Sequence, residues 1–132
     1  MITKKIINIP IFNQSVIVLL GDKNEIITYL QDSYGTDQLN DLLDKGFIAA
    51  CCNYNGLPHI VLDEKDFQFG HFLHELAHSV YCILNWIDVD IHDEEVFCYL
   101  YQYLYEECKD ILPIRMVVAS KTENPADEQV SS

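Results

Sequence analysis

A chain of 132 residues, 49% of them hydrophobic and 22% charged, has the length and composition of one globular domain and not of a disordered chain. Its formal net charge of −13 argues against binding to nucleic acid or to an anionic membrane surface, because both require a basic face. No apolar stretch reaches the length of a membrane span, and the five cysteines have no regular spacing. We therefore expect a cytoplasmic protein with free thiols.

The first half of the chain predicts two β-hairpins separated by two helices. Apolar runs at 6–12 and 15–20 flank turn residues and indicate the first hairpin. Apolar residues recur at helical spacing in 24–34, and a shorter helix is expected at 38–45, closed by Gly46. The second hairpin has strands at 47–52 and 59–62, joined through Asn55-Gly56, which is a strong hairpin signal.

The second half of the chain predicts two longer helices. The first begins after Asp66 and is so apolar that we expect it to run through the core. A polar break at 88–93 ends it and caps the last helix, at about 94–109, which Pro113 stops. A short strand is expected at 114–119. Residues 1–120 then form one domain, and the polar segment 121–132 is expected to be a mobile tail.

The motif His74-Glu75-Leu76-Ala77-His78 lies in the middle of the apolar helix. Residues four positions apart share one helix face at a spacing of about 6 Å, so both imidazoles can bind one zinc ion at about 2.0–2.1 Å. Glu75 lies beside such a metal and not on it, where it can accept a proton from an activated water. The alternative is a pair of core histidines satisfied by neighbouring carboxylates, since buried polar groups need partners.

A catalytic zinc site needs a third protein ligand. Two glutamates, Glu94 and Glu95, open the last helix and are the candidates. Glu95 shares its face with small and polar residues (Cys98, Tyr99 and Gln102), whereas Glu94 shares its face with bulkier ones (Phe97, Cys98 and Tyr101). We therefore predict that His74, His78 and Glu95 bind Zn²⁺, with Glu94 as the alternative to Glu95.

Residues 53–107 resemble the gluzincin group of zinc peptidases, in particular its small single-domain phage-type members. Residues 70–78 (GHFLHELAH) resemble the active-site helix of that group, and residues 95–102 (EVFCYLYQ) resemble its Glu-x-x-Ala-Tyr-x-x-Gly helix. Two positions depart from the pattern, because Cys98 replaces the alanine and Gln102 replaces the glycine. The resemblance implies zinc as cofactor, and hydrolysis of peptide bonds in a peptide or protein substrate.

Three further side chains are candidates for the same site. Tyr99 lies one turn after Glu95 and could hydrogen-bond a zinc-binding histidine. Tyr81 lies on the face of His78 and could donate to an oxyanion. Plain packing accounts for both tyrosines equally well. His71 lies on the histidine stripe, either at its rim or as an alternative ligand.

We therefore predict an α+β, zincin-like fold, with a small sheet of two hairpins packed on the active-site helix and the glutamate helix alongside. Catalysis is expected to use zinc to polarise the scissile carbonyl while Glu75 deprotonates the attacking water. The apolar strand at 59–62 is expected to pair with an extended substrate. The rival hypothesis is a non-enzymatic, zinc-stabilised or degenerate zincin-like interaction domain. Cys51 and Cys52 lie on opposite faces of their predicted strand, which argues against a second metal site there.

Overall fold

A computed structural model describes residues 1–10, 12–90 and 92–113 of the chain. The predicted strand at 114–119 and the predicted tail at 121–132 lie outside the described residues. The elements in chain order are β1 (Thr3–Ile9), β2 (Gln14–Gly21), α1 (Lys23–Tyr34), a 3₁₀ turn (Thr36–Leu39), α2 (Asn40–Lys45), β3 (Ala49–Tyr54), β4 (Leu57–Asp63), α3 (Phe69–Trp86), α4 (Glu94–Cys108) and a 3₁₀ turn (Lys109–Ile111). Both hairpins, the helices between them and the two longer helices are confirmed, and so is the α+β class.

The four strands form one mixed sheet in the order β1-β2-β4-β3. Each hairpin is antiparallel, and the two hairpins join where β2 and β4 pair in parallel. Asn55 and Gly56 form the tight turn between β3 and β4, both with positive φ angles, of 53° and 78°. That pair of angles is the type I′ geometry which suits the twist of a hairpin. In the strand order of the sheet, β4 is an interior strand and β3 is an edge strand.

Helices cover both faces of the sheet, whereas the sequence predicts only the two longer helices to pack on it. Helices α3 and α4 pack on the face that carries Val18 and Ile60, whereas α1 and α2 pack on the face that carries Leu19 and Val61. Strands β2 and β4 are apolar on both faces, and such strands need a covering layer on each side. The domain is consequently built from three layers, with the sheet in the middle.

Helix α3 turns one apolar face to the sheet and leaves its opposite face to solvent. Its buried residues recur every three or four positions, as expected for one helix face: Phe72, Leu76, Ser79, Val80, Ile83 and Leu84. This phase leaves His74 and His78 exposed. The expectation that this helix runs through the core is therefore wrong, and so is the alternative that His74 and His78 are core histidines.

Two tyrosine hydroxyls on α4 fix this helix against its neighbours. The Tyr101 hydroxyl donates to the carbonyl of Leu73 on α3 at 3.1 Å, and the Tyr103 hydroxyl donates to the carbonyl of Asn8 on β1 at 2.9 Å. Because the two hydroxyls reach different elements, the rotation of α4 about its own axis is determined.

Within the described residues, no helix is long and apolar enough to cross a membrane.

Candidate metal site

The two histidines of the motif come together at the surface of α3. Their Nε2 atoms lie 3.1 Å apart, and the ring centroids lie 4.7 Å apart with the rings nearly perpendicular. At this distance the Nε2–H of one ring can donate a hydrogen bond to an unprotonated Nε2 of the other ring. Because the helix backbone fixes both Cα atoms one turn apart, the side chains converge without help from another element.

This geometry fits two of the positions around a zinc ion. Two nitrogens at about 2.0–2.1 Å from a tetrahedral zinc lie about 3.3 Å apart. The observed separation of 3.1 Å between the two Nε2 atoms is close to that value. A metal that replaced the shared proton between His74 and His78 would therefore require only a small movement of either ring.

Glu75 is half-buried on α3, and its charge reaches the thiols of Cys51 and Cys52 on the edge strand β3. The neighbouring thiol of Cys82 is the main cause that raises the pKa of Cys51, and burial is the main cause that raises the pKa of Cys52. The negative charge of Glu75 raises both pKa values further. A helix turns about 100° per residue, so Glu75 lies between the histidine pair and the sheet. A carboxylate in this position borders both the paired imidazoles and the strand β3.

The structure does not place Glu95 with the histidines. Glu95 lines a cavity of about 460 Å³ between α4 and the β1–β2 turn, beside Ile9, Phe12 and Tyr103. The side of α4 that meets α3 is marked by Phe97, whose ring centroid lies 4.9 Å from that of Tyr81. Glu95 lies about 160° around the helix from Phe97, and so faces away from α3.

Glu94 lies nearer to α3 but does not complete the site. It is about 60° around the helix from Phe97 and is exposed. Because Phe97 contacts Tyr81, the start of α4 lies beyond the level of His78 along α3. The part of the chain that the structure describes contains no group of three or more His, Cys, Asp or Glu side chains arranged to hold a metal.

The other predicted side chains have separate positions. Tyr99 is 72% exposed and lines the same cavity as Glu95, away from the histidine pair. Tyr81 follows His78 by one turn and packs on Phe97, so it is the phenol on the histidine side of α3. The Nδ1 atom of His71 accepts the backbone N–H of Gln68 at 2.9 Å. That bond is part of the capping box at the start of α3.

Two features of the site were not found from the sequence. Tyr101 ties α4 to α3 at Leu73, directly before His74, and the alternating tyrosines gave no indication of which hydroxyl would do so. Cys82, seven positions after Glu75, lies close enough to Cys51 of β3 to raise the pKa of that thiol. The spacing of Glu75 and Cys82 on one helix face is the signal that could have indicated that both approach β3.

Comparisons with protein-family models, with curated proteins and with solved structures find no match to this chain.

Proposed function

We propose that this chain is a zinc-dependent metallopeptidase that holds its metal through His74 and His78. The observation that carries the proposal is the convergence of the two Nε2 atoms to 3.1 Å on the exposed face of α3, with Glu75 next to them. Two accessible imidazoles at this separation are a donor pair suited to a divalent transition metal. The likeness of residues 70–78 to the active-site helix of gluzincins extends the proposal from metal binding to peptide hydrolysis.

When bound, zinc supplies Lewis acidity that activates a water molecule and polarises the peptide carbonyl. His74 and His78 would hold the metal at the exposed face of α3, within reach of a substrate. Glu75 accepts the proton of the attacking water and passes it to the leaving amine, because its carboxylate borders the metal-binding face without being a ligand. Tyr81 is exposed on the histidine side of α3, and its hydroxyl would donate a hydrogen bond to the oxygen that becomes negative.

The substrate-binding strand differs from the one expected from the sequence. Strand β4 pairs with β2 on one side and with β3 on the other, so its backbone has no free edge, and the expectation that 59–62 pairs with substrate is wrong. Strand β3 pairs with β4 alone among the strands of the described residues. Because the charge of Glu75 reaches Cys51 and Cys52 of β3, an extended peptide added to the outer edge of this strand would lie near the proposed site.

The metal-binding step is tested by measuring zinc in the purified protein. We expect about one zinc per chain, and we expect His78→Ala to lose it because one imidazole holds zinc poorly. His92→Ala is the matched control, since His92 is exposed and its ring contacts Asp90 at 3.1 Å and not the histidine pair. Equal zinc content in all three proteins would refute the site.

The catalytic step is tested by measuring how fast Glu75→Gln and the unchanged protein cleave a mixture of peptides. We expect this variant to keep its zinc and to lose hydrolysis, because Glu75 moves a proton and does not bind the metal. A variant that loses zinc as fully as His78→Ala would show that the roles are wrongly assigned. Cleavage by Glu75→Gln at the rate of the unchanged protein would show that the activity does not arise at this site.

The second candidate function is a non-enzymatic interaction domain. It is favoured by the absence, within the described residues, of a third metal-binding side chain beside His74 and His78. The apolar cavity next to Glu95 offers such a domain a contact surface on the other side of α4. Zinc bound at His74 and His78 without peptide hydrolysis would favour this function over the peptidase.

A further inference from the structure

The cavity between the start of α4 and the turn that joins β1 to β2 has the size of a ligand site. Its volume is about 460 Å³, and small-molecule sites in proteins commonly occupy about 300–1,000 Å³. The buried side chains of Ile9 and Leu100 form part of its wall, and Phe12 lines it from the turn. The cavity therefore offers an apolar surface to a ring or a short alkyl chain.

Hydrogen bonds hold both walls of this cavity in place. Tyr103 lines the cavity from α4, and its hydroxyl donates to the carbonyl of Asn8 on β1 at 2.9 Å. In the turn, the backbone N–H of Phe12 donates to the carbonyl of Ile9 at 3.2 Å. Because the walls are fixed before a ligand arrives, binding requires little further ordering of the protein.

The exposed rim of the cavity combines a carboxylate with an aromatic ring. Glu95 and Tyr99 both line the cavity, and they lie one helical turn apart on the same side of α4. Both side chains are exposed, that of Tyr99 to 72%. A protonated amine is attracted to a carboxylate and also to the face of a tyrosine ring. The rim therefore has the two groups that suit a cation.

The charge around this end of α4 also favours a cation. Asp93, Glu94 and Glu95 stand at the start of the helix, and neither Lys nor Arg occurs between residues 66 and 108 of the sequence. The N-terminus of a helix carries only about half a positive charge, which three carboxylates outweigh. A positively charged ligand is therefore attracted to the rim of the cavity, and an anionic ligand is repelled.

We propose that this cavity binds a small organic amine. Its apolar group enters between α4 and the β1–β2 turn, and its protonated nitrogen lies at the rim beside Glu95 and Tyr99. A cavity that is apolar within and anionic at its rim matches the two ends of an arylalkylamine, and its volume suits a single small molecule. The inference uses neither zinc nor peptide hydrolysis, so it stands or fails separately from the proposed function.

The test is a titration of the isotope-labelled protein with phenylbutylamine, followed through the NMR shifts of its backbone amides. We expect saturable shifts at Phe12, Val96 and Leu100, which line the cavity. Phenylbutanol carries the same apolar group without the charge and should bind about 2–5 times more weakly, which is the difference that an exposed ion pair makes. Methylamine carries the charge alone and should cause no saturable shifts there. Shifts confined to other elements, or equal affinities for the amine and the alcohol, would overturn the proposal.

Two glutamate variants separate the carboxylate at the rim from the net charge of the chain. Glu95→Gln should weaken the binding of phenylbutylamine by about 2–5-fold, to the level of phenylbutanol. Glu94→Gln is the matched control, because it removes the same charge from a side chain that points about 100° away around the helix. This control should bind the amine as tightly as the unchanged protein does. Equal losses in both variants would show that the amine responds only to net charge, and the proposed site would be wrong.

Two further measurements distinguish the amine from a protein occupant. The same titration with the acetylated peptide amide Ala-Phe-Lys-Ala presents an apolar group and a cation as part of a polypeptide. Saturable shifts with this peptide but not with the free amine would assign the cavity to a protein partner. A chain that sediments as a dimer, and as a monomer in Tyr99→Ala, would place a second copy on the cavity. Either result would overturn the proposal of a small-molecule site.

Discussion

The buried histidine on β4 predicts how the stability of this domain depends on one hydroxyl group. The ring of His59 is fully buried, and its Nδ1 lies 2.8 Å from the carbonyl of Leu57, while its Nε2 lies 2.8 Å from the Tyr34 hydroxyl. A carbonyl only accepts, so Nδ1 carries the proton of the neutral ring and Nε2 accepts from Tyr34. Tyr34→Phe removes that donor and keeps the ring, whose centroid lies 5.1 Å from that of Tyr54.

The expected loss follows from the acceptor that is left behind. A buried polar atom without a partner costs about 1–3 kcal/mol, so Tyr34→Phe should lower the free energy of unfolding by that amount. Urea denaturation followed by circular dichroism measures it. Tyr29→Phe is the matched control on the same helix, because the Tyr29 hydroxyl accepts from Lys4 in an exposed position. Its change should stay within about 0.5 kcal/mol.

The same histidine predicts a dependence on pH. Burial lowers the pKa of His59 below its usual value of 6.5, so the unfolded chain binds a proton more readily than the folded chain does. The stability is therefore fully present above pH 6.5 and falls as the pH drops below it, by at most about 1.4 kcal/mol per pH unit. The slope between pH 7 and pH 5 should be smaller in His59→Gln.

Two results would refute this reasoning. Equal effects of Tyr34→Phe and Tyr29→Phe would show that Nε2 of His59 does not depend on the tyrosine donor. An equal slope against pH in the unchanged protein and in His59→Gln would show that the buried ring does not control the acid side of the stability curve.

Two further predictions concern α4. Glu95→Gln should leave zinc binding unchanged, because Glu95 faces the cavity on the side of α4 away from the histidines. Isothermal titration with zinc measures this, with Glu94→Gln as the comparison. A loss of affinity confined to Glu95→Gln would restore Glu95 as the third ligand. Tyr101→Phe should lower the free energy of unfolding by about 0.5–1.5 kcal/mol, because it loses the hydrogen bond to the carbonyl of Leu73. An unchanged midpoint of urea denaturation would show that this bond does not stabilise the contact between α3 and α4.

The local elements could be predicted because their signals are local. The Asn55-Gly56 pair adopts the positive φ angles that a two-residue hairpin demands, and Gly46 ends α2 with a φ of 68°. Asp22 and Asp93 cap α1 and α4, because their carboxylates accept hydrogen bonds from backbone N–H groups of the first turn. Each of these signals lies within a few residues of the boundary that it sets.

The pairing of the hairpins and the rotation of α4 could not be predicted in the same way. Strands β2 and β4 are both apolar on two faces, so they lack the alternation that would show which side of each hairpin joins the other hairpin. Apolar and aromatic residues surround α4 on several sides, including Val96, Phe97, Leu100 and Tyr101. The side that packs on α3 is chosen by tertiary contacts, and that choice turned Glu95 away from the histidines.

The join between β2 and β4 has a consequence for how this chain folds. Each hairpin pairs residues that are close in sequence, whereas the parallel join pairs residues 42 positions apart, such as Ile17 with His59. Local pairing is fast, and contacts between distant residues are slow because the intervening loop must close first. During synthesis, the first hairpin therefore waits with the apolar strand β2 as an open edge until β4 has emerged. That interval is when neighbouring chains can add to the edge, so aggregation of the nascent chain depends on the time before β4 arrives.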